Sequence, residues 1–263
     1  MKRRIIVALL SLCAVALPVK AQEADSLSRC WDESFRASQL IAPAIFIGSG
    51  SAITFIPWFE TNVSLPVRDF VVEQNLPSTW VDHVTAALPS VAYIGMNWIG
   101  VASEHTGKER IATLVTASAI QMGVVRGLKH ALDVVRPDGS NDHSFPSNHS
   151  SWAFMGAELV RIEYGPWWGL GAYSVATATA LMRVYNNKHW VGDILAGAGI
   201  GILSAQAAYW LLPLERKLFG WKPICTRGIN DRFMDNPSEQ SPAVILVPYA
   251  APGAAGFSFA LTF

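Results

Sequence analysis

The chain has 263 residues, of which 51% are hydrophobic and only 15% charged, against roughly 25% charged in ordinary soluble domains. Twenty basic residues balance twenty acidic ones, which excludes the strongly basic surface that nucleic-acid binding needs. The low charge leans toward a membrane, although a mean hydropathy of +0.28 is modest for a chain with many crossings.

At the N-terminus, Lys2, Arg3 and Arg4 precede an apolar run from Ile5 to Leu17. Val19-Lys20-Ala21 then offers small residues at cleavage positions, which predicts a signal peptide over residues 1–21; an uncleaved anchor helix is the alternative. Cleavage would leave sixteen basic and twenty acidic residues, a net charge of about −4. Cys13 departs with such a signal, and Cys30 and Cys225 remain in polar tails, either paired or free. No CxxC motif or Cys/His cluster suggests a metal site.

Residues 22–39 are polar. Apolar stretches follow at Leu40–Phe59, Val84–Ala102, Ile111–Leu128, Ser150–Val160, Trp167–Met182 and Val191–Leu212. They are rich in Gly, Ala, Ser and Thr, which suits close helix packing in lipid, and Trp98, Trp167, Trp168, Trp190, Trp210 and Trp221 near their ends suit an interfacial belt. The expected fold is all-α, a transmembrane bundle of five to six apolar helices over residues 40–217. Pro43 and Pro57 suggest that Leu40–Phe59 is broken or re-entrant. Five crossings by the other stretches would put Lys108, Arg110, Arg161, Arg216 and Lys217 in the cytoplasm and Lys129 with its neighbours on the periplasmic face. That topology excludes a Cys30–Cys225 disulfide.

In the tail, residues 218–263, AVILVPY and GFSFALTF are β-prone runs separated by AAPGAA, a hairpin pattern. The terminal Phe is similar to those of outer-membrane barrel strands, but one hairpin cannot close a barrel, so a small hairpin packed on the domain is expected.

Two polar blocks interrupt the apolar pattern. Lys129–His149 reads KHALDVVRPDGSNDHSFPSNH and Arg183–Asp193 reads RVYNNKHWVGD. The pattern Lys129-x6-Arg136-Pro137, then Pro146-Ser147-Asn148-His149, then Arg183-x5-His189-x3-Asp193 resembles the type 2 phosphatidic acid phosphatase family. That group includes the class A bacterial acid phosphatases and shares its site with vanadium haloperoxidases. The resemblance covers roughly residues 84–212. With the N-terminal signal and the tail hairpin, it looks most like envelope phosphatases of the lipid A type. Asn148 stands where the family commonly has Gly, and Met182 where it has Ser. Asn is the next-best residue for a left-handed backbone, so its N–H could still face a phosphate, whereas Met182 removes a hydroxyl.

The residue chemistry agrees with what the resemblance implies. A phosphomonoester carries nearly two negative charges, which must be neutralised before a nucleophile attacks. Arg136 and Arg183 offer planar forks, Lys129 a point charge, and Ser147 and Asn148 neutral hydrogen bonds. His189 is the candidate nucleophile, forming a phosphohistidine, with Asp193 four residues on to fix its tautomer. His149 would protonate the leaving alkoxide and then activate water. No metal or other cofactor is implied. Asp138, Asp142 and His143 read as a polar connector, and His83, His105 and His130 as capping or surface residues. Arg126 and Glu158 lie within apolar stretches; Arg126 either extends the basic pocket or snorkels to the interface.

The expected function is a lipid phosphatase of the bacterial inner membrane with its site facing the periplasm, acting on lipid A before undecaprenyl pyrophosphate or phosphatidylglycerol phosphate. The expected partners are the lipid substrate and the bilayer. A soluble periplasmic acid phosphatase and a non-catalytic scaffold that binds lipid phosphate are the competing readings, with haloperoxidase activity a remote third.

Overall fold

A computed structural model describes residues 34–74, 79–221, 243–251 and 254–262. The predicted signal peptide and both Cys30 and Cys225 lie outside the described residues.

The helices are α1 (Ile41–Phe55), α2 (Leu65–Glu73), α3 (Val81–Gly95), α4 (Gly107–Leu132), α5 (Asn148–Tyr164), α6 (Pro166–Tyr185) and α7 (Val191–Phe219). Each of the six predicted apolar stretches carries one main helix, although Leu40–Phe59 and Val84–Ala102 run past the ends of α1 and α3, and the short α2 between the first two is an addition. Local chemistry sets the ends. Thr106 and Glu109 form a reciprocal capping box that starts α4. Pro166 occupies the first turn of α6, where a missing N–H costs nothing. Gly220 ends α7 at φ 66°, a left-handed conformation that suits glycine.

At the centre is α7. The apolar window of α7 is 72% buried, against 11% for Ala37–Phe55 and 22% for the window within α4, and these three helices are long and apolar enough to cross a membrane. Glycines let two neighbours approach α7 closely. On one face, a Cβ at Gly192 would lie 2.6 Å from the Gly50 carbonyl oxygen, and one at Gly199 would lie 2.8 Å from that of Pro43. These contacts run α1 antiparallel along α7. On another face, a Cβ at Gly197 would meet the Ser147 carbonyl oxygen at 2.6 Å, and one at Gly201 that of Ser151 at 2.2 Å, so α5 is held equally close. A third close approach, Gly156 against Pro89 and Ser90, joins α5 to α3.

The break expected in Leu40–Phe59 is present at Pro57, near the end of the stretch, and not at Pro43. Pro43 lies in the first turn of α1, where its lack of an N–H breaks no intrahelical hydrogen bond. The interruption falls at Ile56–Pro57, after α1 has run the length of its contact with α7. Ala37–Phe55 is therefore able to cross a membrane by length and composition.

The helix ends sort into two layers. Around one end, a buried polar network ties the α3–α4 loop to the bundle. His105 donates its backbone N–H to Glu163 Oε1 at 2.7 Å, and its Nδ1 lies 2.9 Å from Glu163 Oε2. Tyr209 donates to the same Oε2 and shares a hydrogen bond with Tyr93. His105 is 3% exposed, so the surface reading of it fails: a buried carboxylate needed its partner. Arg161 pairs with the buried Glu158 through two 2.7 Å contacts, which explains an acid inside an apolar stretch. Arg126 is exposed on α4. Trp98, Trp167 and Trp168 are exposed at this end, and Trp58 and Trp80 at the other, an arrangement that suits two aqueous interfaces.

In the tail, β1 (Ala243–Ala251) and β2 (Ala254–Thr262) pair antiparallel, with Ala243 opposite Thr262.

The glycine faces of α7 give a direct stability test. Gly201→Val forces a side chain into the α5 backbone and should destabilise the protein by about 1–3 kcal/mol or prevent folding. Gly171→Val on α6, with nothing within 4 Å of its would-be Cβ, should change little. Thermal unfolding in detergent compares the two, and equal melting temperatures would refute the close-packing account.

Candidate active site

The end opposite the His105–Glu163 network gathers both polar blocks of the sequence. Ser147 caps α5, its Oγ accepting the Ser150 N–H at 3.4 Å. Its own N–H donates to the Asp193 carbonyl at 3.0 Å, fastening the first turns of α5 and α7 together. His189 and Asp193 flank the start of α7 and are both buried, at 2% and 0% exposure.

His189 Nδ1 lies 3.4 Å from Asp193 Oδ2. The same oxygen accepts the Trp190 N–H at 2.9 Å and the Ser144 hydroxyl at 2.5 Å. Asp193 thus holds the predicted orientation toward the ring, although Ser144 makes the shorter contact. Ser144 went unassigned in the sequence, where it is one of several serines in a polar loop. Burial pushes the His189 pKa down to about 4 despite the Asp193 carboxylate, with Arg183 and Lys129 adding to the depression. A ring so depressed is neutral at physiological pH.

Arg183 is 5% exposed on the last turn of α6, and its Nη1 donates to Asp82 Oδ2 across to α3. Asp82 is fully buried and was not singled out in the sequence; the signal available was that a buried arginine demands a carboxylate. Among the described residues, Arg183 Nε has no hydrogen-bond partner, and neither does the buried Nε of Arg136. Unpaired buried donors are costly, and a bound anion would satisfy them. The charges of Arg136, Arg183 and Asp193 all reach Lys129.

Lys129 departs from a purely phosphate-binding role. Its ammonium donates to the His143 and Ser144 carbonyls, at 2.6 and 3.1 Å, and so anchors the loop ahead of α5. Asp138 pairs with Lys188 at 2.5 Å rather than with His143, which ties that loop to the α6–α7 turn. Trp190 Nε1 donates to the Val135 carbonyl at 2.8 Å and closes the same junction.

Asn148 is helical, the first residue of α5; among the described residues only Asp133 and Asn187 combine a side chain with positive φ. The left-handed backbone expected of Asn148 is absent because the residue already belongs to the helix that Ser147 caps. Its Oδ1 accepts from Gln121 Nε2 at 3.0 Å. Met182 is partly buried, one residue before Arg183. The half-buried His149 faces this end with Nε2 2.8 Å from Nδ1 of His83. His83 is exposed, as expected of a surface residue, yet it is also a direct neighbour of His149.

These residues fall within a recognised domain. Residues 110–217 match the PAP2 superfamily model. Both polar blocks thus lie in a stretch that is similar to the PAP2 superfamily. Over 141 residues it is 36% identical to the lipid A 1-phosphatase of Porphyromonas gingivalis, an alignment that covers 52% of this chain and 32% of that protein. It is 24% identical over 125 residues to lipid phosphate phosphatase gamma of Arabidopsis thaliana, covering 41% of this chain and 54% of the relative. It is 36% identical over 89 residues to YbjG of Escherichia coli, named as a candidate undecaprenyl-diphosphatase, covering 32% and 45%. The chain thus spans between a third and just over half of these relatives' lengths. The crystal structure of Aquifex aeolicus LpxE aligns with a TM-score of 0.44 at 20% identity, covering 56% of this chain and 94% of that one. Asp82 and His83 precede the residues that match the PAP2 model.

The burial of His189 sets a titration test. Carbon-13 NMR of ring-labelled histidine should show one imidazole with a midpoint near pH 4, its signal assigned by loss in His189→Gln. An unfolded imidazole titrates near 6.5, so the folded state loses stability as pH falls from 6.5 toward 4. A His189 midpoint at 6.5 would refute the burial account.

Proposed function

We propose that this chain hydrolyses a lipid phosphomonoester through a phosphohistidine on His189. The observation that carries the reading is the neutral, buried His189 oriented by Asp193 beside two arginines whose Nε–H groups lack partners. Arg136 and Arg183 take the phosphate oxygens, joined by N–H groups of the first turn of α5. The remaining Lys129 donor adds positive charge of the kind that a metal ion supplies elsewhere. Nε2 of His189 attacks phosphorus as the P–O bond to the lipid alcohol breaks, and His149 gives that oxygen a proton. Water then attacks the phosphohistidine, its proton going to His149, and the N–P bond breaks to release inorganic phosphate.

Lipid A is the first-choice substrate, supported by similarity to a lipid A 1-phosphatase. An undecaprenyl diphosphate substrate is the second reading, supported by similarity to YbjG over a shorter span. The three long apolar helices support a substrate whose acyl chains stay in the bilayer.

The protein would lie in the inner membrane with this site toward the periplasm. Lys108, Arg161, Arg216 and Lys217 cluster at the opposite end of the bundle, the cytoplasmic end by the positive-inside rule. With α1 as a crossing and the 15-residue α3 as another, three crossings precede Lys129, so a periplasmic site requires the chain to enter α1 from the cytoplasm. A cleaved N-terminal signal and a periplasmic site are then mutually exclusive. In a cysteine-free variant, a cysteine placed at Ser140 should react with an impermeant maleimide added to the periplasm, and one at Lys108 should not. The reverse pattern would place the site in the cytoplasm.

Mass spectrometry of membrane lipids from cells lacking the protein should show lipid A carrying one extra phosphate, restored to normal by the wild-type gene and not by His189→Ala. Unchanged lipid A with accumulated undecaprenyl diphosphate would select the second reading, and rescue by His189→Ala would leave only a scaffold. With purified protein, Asp193→Asn should lower kcat on the order of ten-thousandfold, by analogy with loss of the orienting carboxylate in serine hydrolases. A change below tenfold would remove Asp193 from the mechanism.

A further inference from the structure

Asp82 and His83, at the start of α3, face His149 across the open end of the site, and the reaction proposed above uses neither as a donor or nucleophile. Nδ1 of His83 and Nε2 of His149 are 2.8 Å apart, with ring centroids at 4.7 Å and planes at 72°. One ligand atom from each of Asp82, His83 and His149 lies within 4.8 Å of the others. Asp82 is fully buried; Oδ2 holds Arg183, while Oδ1 has no hydrogen-bond partner. A buried carboxylate with one unpartnered oxygen and two facing imidazole nitrogens form a donor set of the kind that holds a cation.

We propose that Asp82, His83 and His149 form a binding site for a divalent cation of the zinc class, and that its occupancy stops turnover. Two imidazole nitrogens and one carboxylate oxygen suit zinc, and three protein ligands leave a fourth position for water. Zinc–nitrogen bonds of about 2.0–2.1 Å need the two nitrogens slightly more than 3 Å apart. The exposed His83 ring is free to give that small displacement and opens the site to solvent. Coordination through Asp82 Oδ1 leaves Oδ2 on Arg183, so the phosphate-binding guanidinium keeps its anchor. The metal takes the place of the hydrogen bond between the two imidazoles; the ring that held the shared proton carries it on its other nitrogen instead, so both rings bind neutral. His149 Nε2 then has no lone pair or proton for the leaving alkoxide or for water. The expected signature is a fall in kcat without a rise in KM, since the added charge does not repel a phosphate.

The inhibitory half rests on the role proposed for His149; the binding half does not. In the detergent-solubilised full chain freed of metal by chelation, Co2+ titration should give the visible bands of a low-symmetry site, and added Zn2+ should abolish them. His83→Ala and His83→Asn should each weaken Co2+ binding at least about tenfold. Zn2+ should inhibit hydrolysis of a short-chain phosphatidate by the wild type, and each variant, compared with its own metal-free rate, should need at least about tenfold more Zn2+. Identical Co2+ titrations in wild type and both variants would overturn the site. Co2+ binding that depends on His83, with Zn2+ leaving wild-type turnover unchanged, would overturn the inhibition. A preparation without phosphatase activity would count against the proposed function, and the Co2+ arm would still decide the site.

Discussion

The junction between the first turns of α5 and α7 is the constraint on which the rest depends. Gly197 brings the Ser147 carbonyl against the α7 backbone, and the Ser147 N–H closes on the Asp193 carbonyl. That pair of contacts fixes where α5 begins relative to His189 and Asp193. The glycines at 192, 199 and 201 extend the same close approach down α7 on two faces. Small residues at helix interfaces are what lipid-embedded packing favours, because van der Waals contact replaces a hydrophobic driving force. The same glycines that stabilise the bundle therefore set the geometry of the site.

Electrostatics supplies the second constraint. Breaking a buried ion pair by removing one partner costs about 3–5 kcal/mol, so Arg183 and Asp82 hold each other and with them α6 and α3. Lys129 holds the loop ahead of α5 by two carbonyls, and Lys188 holds the same loop through Asp138. Arg183, Lys129 and Lys188 are therefore each held by partners within the protein. Preorganised charge of this kind requires no reorganisation at the moment of reaction.

The positions of the helices and the motif residues were legible because periodic apolar stretches and fixed spacings are local signals. Asp193 follows His189 by one helical turn, and the two do meet. Contacts between distant segments were not legible. Asp82 reaches Arg183 across 101 positions, and His83 reaches His149 across 66; nothing in either neighbourhood marks a partner so far away. His105 looked like a surface residue because its carboxylate lies 58 positions on, inside α5. Pro43 misled for a different reason. A proline reads as a breaker, but its position relative to the first turn decides its effect, and helix starts are poorly fixed by sequence.

Asp193 illustrates how the buried site balances competing demands. Three donors converge on Oδ2, and the Ser144 hydroxyl, at 2.5 Å, approaches more closely than the His189 ring at 3.4 Å. A strong partner for the ring would favour its protonated form, whereas attack on phosphorus requires the neutral one. Sharing the carboxylate with Ser144 and the Trp190 N–H draws charge away from the imidazole, while burial keeps the ring neutral. In the proposed reaction positive charge develops on His189, and a ring that shortens its contact with Oδ2 gains most where stabilisation is needed. An interaction weak in the resting enzyme and strong in the transition state accelerates the reaction; one equally strong in both would not. On this argument the long His189–Asp193 contact belongs to the ground state of the proposed reaction.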